Sequence, residues 1–182
     1  FIESVHPNFE YPVYAQTLKS ALEAWTVPLG INVHVLQAGI DKGKSYDIVA
    51  TMKKIDGSGG ILAQCELPNG SGSFITMTVD VDENFSLEKD GNGYVDLLGP
   101  VTHEWGHGMG LEHNESPEAL MYWQWLGKFK TPQPLDLQEL HLLYKDRVPK
   151  PTVPSGGTNW EELYRKAALE IAAYRNKQSR IR

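Results

Sequence analysis

The sequence predicts an α+β fold, and three observations carry that prediction. Between residues 31 and 82, β-branched stretches alternate with glycine-rich turns, which is the punctuation of a sheet. Residues 13–25 instead place apolar side chains at helical spacing. His103 and His107 stand four residues apart, a spacing that brings two imidazoles together only on a helix.

Taken in order, FIESV reads as a short strand and HPNFEYP as a proline-marked turn. The following VYAQTLKSALEAW is a helix with Ala15, Leu18, Leu22 and Trp25 as its inner stripe. INVHVLQ and YDIVATM read as strands separated by the loop AGIDKGKS. The turns DGSGG and PNGSG bracket ILAQCEL, and SFITMTVDVD alternates as a further strand, which brings the count to five. After the polar loop ENFSLEKDGNGY comes the histidine-bearing helix. TPQPLDLQELHLLYKDR is another helix, with Leu137, Leu140 and Tyr144 on one face and prolines before it.

The organisation expected is a catalytic domain over residues 1–147, a Pro/Gly linker over 148–158, and an amphipathic C-terminal helix over 159–182 of unknown role. In that last helix Thr158 and Glu161 stand at capping-box spacing, and Trp160, Leu163, Tyr164, Ala167, Ile171 and Tyr174 share one side. Its six basic and three acidic side chains are as compatible with a solvated face as with a partner surface.

Charge and composition narrow the function. The formal net charge of -6 disfavours a nucleic-acid binder, which needs a concentrated basic face. No apolar run reaches the roughly 20 residues that span a bilayer, and FIESVHPNFE lacks the basic and apolar pattern of a signal segment, so the chain reads as soluble. Its lone cysteine, Cys65, cannot form an intrachain disulfide and reads as a small apolar filler in a strand.

The chemistry lies in HEWGHGMGLEH. His103 and His107 offer two ligands from one helix face, whereas His113 falls six residues after His107, rotated by roughly 240° if the helix continued. The helix must stop first. Gly108 and Gly110 supply the left-handed conformation that ends a helix, so His113 can return to the same ion. Three neutral imidazoles leave a tetrahedral zinc one position open, which is a catalytic rather than a structural arrangement. Glu104 sits beside the metal, placed as general base and proton shuttle for a zinc-activated water. A HExxH pair alone is compatible with a solvated helical face, and Glu139 is the alternative third ligand of a thermolysin-like site.

HExGHxxGLxH followed by PEALMY resembles the metzincins, and within them the matrixins, or matrix-metalloproteinase-like enzymes. DGSGGILAQC and DVDENF extend the resemblance over roughly residues 1–147. It implies a zincin-like metzincin domain: a twisted, mixed, mostly parallel five-stranded sheet, an active-site helix and a C-terminal helix. It also implies a secreted, extracellular zinc metalloendopeptidase, expected as a monomer, that acts on extended polypeptides.

By the same resemblance, backbone groups of Ile61, Leu62 and Ala63 bind substrate by strand addition. Met121 forms a Met-turn under the metal, and Tyr122 to Trp125 wall the pocket for the residue after the cleaved bond. Gly99 falls where larger residues close that pocket in relatives, so a deep pocket preferring Leu, Met or aromatic side chains is expected. Only one zinc is expected, because Gln64 and Thr78 stand where relatives carry histidines for a second. Asp56, Asp80 and Glu83 match acidic calcium ligands of the family, and a calcium site and simple turn capping stand as equal alternatives.

Overall fold

A computed structural model describes residues 1–71, 74–87 and 92–145; the expected linker and C-terminal helix lie outside the described residues. Helix α1 (Tyr11–Thr26) begins with a proline in its first turn, where the missing N–H costs nothing. It buries Tyr14, Ala15, Leu18, Ala21 and Trp25, with Leu22 half-buried at the edge of the stripe. A 3-10 turn (Val27–Leu29) follows, and Gly30 closes it at φ 70°.

The main sheet has three strands in the order β1–β3–β2, formed by β1 (Ile48–Lys53), β2 (Ala63–Cys65) and β3 (Ile75–Asp80). β1 runs parallel to β3, and β2 runs antiparallel to it on the other side. Val79 and Met77 are fully buried from β3, consistent with its central place. A separate parallel pair joins β4 (Phe85–Ser86), in the segment that reads from sequence as loop, to β5 (Val95–Asp96) just before α2.

The single, mostly parallel five-stranded sheet is therefore not found among the described residues, whose strands form one sheet of three and one of two. FIESV contributes one position, Ile2, which bridges both Ala50 and Gln37. INVHVLQ contributes one bridge at Gln37, although Leu36 also accepts the Ile2 amide. The physical reason lies in burial. Ile31 is exposed, and Val33 and Val35 are only half-buried along a cavity of about 610 Å³ that separates this segment from Leu18 and Leu22 of α1. Without tight packing on one face, β-branched residues stay extended without zipping into a ladder.

Helix α2 (Leu98–Gly108) lies against both α1 and the sheet. Two indoles lock it to α1 reciprocally: Trp25 donates to the Thr102 carbonyl at 2.7 Å, and Trp105 donates to the Leu18 carbonyl at 3.1 Å. Both bonds are buried, so each satisfies a polar group that would otherwise be costly. Helix α3 (Pro134–Tyr144) completes the core through Leu140 and carries a capping box between Gln133 and Asp136.

Gly106 is a point of close approach between α2, Trp25 of α1 and Met121. A Cβ there would overlap the Met121 sulfur and lie 2.9 Å from Trp25 Cζ2. Gly106→Ala is expected to destabilise the chain by about 1–3 kcal/mol through overpacking. Thermal unfolding checks this, and an unchanged Tm would mean the helix is not seated as described.

Candidate metal centre and active site

The site is built on the end of α2. His103 is buried, His107 half-buried and His113 exposed, and their ligand nitrogens lie within 4.8 Å of one another. They form the sole such His, Cys, Asp or Glu group found among the described residues. Glu139 is outside it; its carboxylate accepts the Asn114 side-chain amide at 2.7 Å, next to His113. The expected triad is therefore the one that gathers.

The chain reversal after α2 is a Schellman motif. Gly110, at φ 93°, donates to the His107 carbonyl at 2.8 Å, and Leu111 donates to the Gly106 carbonyl at 3.0 Å. The same turn serves the metal site directly, since the Leu111 carbonyl faces His107 Nδ1 at 2.8 Å. His103 Nδ1 faces the Leu120 carbonyl at the same distance. With Nδ1–H donated to a carbonyl, the Nε2 lone pair of each ring is left for a metal.

The triad fits zinc. Zn–N bonds of about 2.0–2.1 Å at tetrahedral angles put ligand nitrogens about 3.3–3.4 Å apart, and His107 Nε2 and His113 Nε2 are 3.2 Å apart. Burial, with smaller contributions from the other two imidazoles, lowers the His103 pKa to about 4, and burial also lowers that of His107. Both rings are thus held neutral, the form that ligates.

Glu104 is half-buried beside the triad, and desolvation raises its pKa to about 8 against the pull of the Cys65 backbone amide. That amide belongs to β2, the free edge of the three-stranded sheet. The Leu62 carbonyl and the Glu66 amide bond to β3, so by strand alternation Ala63 and Cys65 turn their backbone groups the other way. Of the residues expected to bind substrate, Ala63 faces the open edge, Leu62 turns its carbonyl inward, and the Ile61 amide is held by Asp56.

A matching sequence profile then decides kinship: that of the Matrixin family aligns with residues 3–145. The chain belongs to the matrixin family. It is 31% identical over 170 residues to matrix metalloproteinase-16 of Homo sapiens and of Rattus norvegicus, covering 84% of this chain and 28% of each relative. It is 36% identical over 105 residues to matrix metalloproteinase-15 of Homo sapiens, covering 54% of this chain and 15% of that protein. A putative matrix metalloproteinase of Spodoptera frugiperda ascovirus 1a is 37% identical over 73 residues, covering 37% of this chain and 19% of that protein. The chain thus spans well under a third of the length of these relatives. Matrixin membership implies a catalytic zinc, which the triad suits.

Met121 is fully buried, with its sulfur against Gly106 on α2. Asp136 was not legible as part of the site. Its buried carboxylate accepts the amides of Leu120 at 2.8 Å, Met121 at 3.0 Å and Gln133 at 2.7 Å, fixing the turn whose carbonyl orients His103. Its capping-box position was the only available signal. Asp56 and Glu83 likewise serve loop amides: Asp56 takes Ile61, and Glu83 takes Gly59 and Gly60. Asp80 is buried; although desolvation raises its pKa, amides of Asp82, Asp56, Ile55 and Gly57 outweigh this and lower it overall. Gln64 and Thr78 face each other across β2 and β3.

Cys65 behaves as a filler. Burial, with Glu104 and Glu66 nearby, raises its thiol pKa, and its sulfur packs against Gly108. The space expected to open at Gly99 is occupied, since a Cβ there would overlap the Trp125 ring.

Asp136→Ala leaves three amides without an acceptor and is expected to cost about 3–5 kcal/mol, with a 10–100-fold loss of zinc affinity. Denaturant titration and competition for zinc measure the two. A second expectation concerns pH. Because the Glu104 pKa is raised from 4.5 to about 8, the folded metal-free chain holds an extra proton between these values, and this group makes it less stable as pH rises through them. Glu104→Gln removes the effect. Its stability advantage over the original metal-free chain should grow across that window by at most about 1.4 kcal/mol per pH unit and level off above it. A pH-independent difference would mean that Glu104 is solvated.

Proposed function

We propose that this chain is the catalytic domain of a zinc-dependent endopeptidase that hydrolyses extended polypeptides outside the cell. The observation that carries the reading is the convergence of His103, His107 and His113, with Glu104 half-buried alongside them and an open sheet edge next to it. The three imidazoles hold the metal. Bound there, zinc supplies a Lewis acid for a carbonyl and lowers the pKa of water toward 7.

The chain's own residues supply the rest. Glu104 takes the proton of the attacking water and passes it to the departing amine, so no serine or cysteine nucleophile is needed. Backbone groups of β2 pair with the substrate chain as an added strand, which selects an extended peptide and leaves side-chain preference to neighbouring pockets. Met121 packs beneath the triad as a support, not a ligand. The domain acts as a monomer.

The test compares the original chain with Glu104→Ala at equal zinc content, using cleavage of a denatured protein as the readout. Cleavage should fall by at least about 10²-fold while zinc stays bound, and chelation should abolish it. Undiminished cleavage by Glu104→Ala rules out its role as base. One bound zinc without cleavage in either protein makes the domain a binding module.

A further inference from the structure

Resting on the peptidase reading, we propose that the Trp125 indole is a built-in plug that closes the side-chain pocket beside the histidine triad, restricting the residue after the cleaved bond to small side chains. Gly99 stands four residues before His103 on α2, so the direction a side chain would take from it lies on the ligand face, about 6 Å along the axis. That space is filled. A Cβ on Gly99 would overlap Cη2 of Trp125 and lie 2.6 and 2.8 Å from its Cζ2 and Cζ3.

These three atoms are the far edge of the six-membered ring, so the indole stands edge-down on bare helix backbone. Trp125 is half-buried and packed on the core, whereas its neighbours Trp123 and Leu126 are 61% and 49% exposed. The segment therefore turns the Trp125 ring inward, onto a position of α2 that has no side chain. The cavity that Trp125 shares with Leu120 and Phe129 holds about 10 Å³, the space of one water.

A peptide paired along the β2 edge alternates its side chains between two faces, so of the two residues flanking the cleaved bond one points into the protein. Because Gly99 stands about one turn before His103, a side chain that enters beside the triad between α2 and the segment after Met121 meets the indole. A Leu or Phe side chain needs the volume that Trp125 occupies.

The test uses the zinc-loaded full chain and three peptides identical except for Ala, Leu or Phe after the scissile bond, with reduced-amide analogues that cannot be cleaved. The original chain is expected to cleave the Ala peptide, and to bind its analogue, at least tenfold better than the Phe counterparts. Trp125→Ala should shift that ratio toward Phe by at least tenfold. Trp125→Phe, which keeps a ring to hold the segment, should shift it in the same direction by less. A preference for Leu or Phe in the original chain, ratios unmoved in both variants, or failure of every analogue to bind overturns the plug. Analogues that bind in the expected order, with the expected shift, while no peptide is cleaved would leave the plug standing and remove the peptidase reading.

Discussion

The Asp136 carboxylate is the joint on which the histidine triad depends. It is fully buried at the start of α3, and it takes two amides from the turn at Leu120 and Met121 and one from Gln133. The carbonyl of that same Leu120 orients His103. A ligand on α2 is thus aimed by a residue 33 positions later through one peptide unit. His107 is aimed more locally, by the Leu111 carbonyl presented by the Schellman turn. Both imidazoles rest on backbone carbonyls whose positions are fixed by hydrogen bonds elsewhere, and such outer partners set ring tautomer and direction.

The electrostatics of the site follow from its burial. Lowering the His103 pKa from 6.5 to about 4 corresponds to roughly 3 kcal/mol against carrying a proton there, so the ring is a lone-pair donor at neutral pH. Glu104 meets the opposite pressure, because desolvation disfavours its charged form. A dication among the imidazoles reverses that pressure on the carboxylate beside it. Neutral ligands and a carboxyl poised near 8 are therefore one arrangement: the pocket disfavours isolated charge of either sign until a metal supplies the compensation.

How much of this could be read in advance depended on the range of the interactions. The triad, its glycine turn and Glu104 were legible because their spacing is local: His103 to His107 is one helical turn, and Gly110 is what lets the chain reverse toward His113. Helices α1 and α3 were legible for the same reason. The sheet was not. INVHVLQ has the composition of a strand, yet pairing depends on a partner and on packing that no stretch encodes by itself, and only Gln37 and Leu36 engage Ile2. Asp136 was missed because nothing in TPQPLDLQ shows that its carboxylate reaches back to Leu120. The first part of the acidic loop was partly legible: Asp56, Asp80 and Glu83 were singled out for their charge, and what they engage are the amides of residues 55–61 and 82.

Gly99 shows why a single residue type cannot define a cavity. Removing a side chain opens space only if the neighbours stay where they were, and protein interiors fill such space when a flexible segment can reach it. The segment after Met121 reaches it with Trp125, whose large ring fills it. The shape of the pocket therefore belongs to a pair of positions 26 residues apart. Neither glycine nor tryptophan specifies it alone: without Gly99 the ring has nowhere to lie, and without Trp125 the bare helix would be an opening rather than a floor.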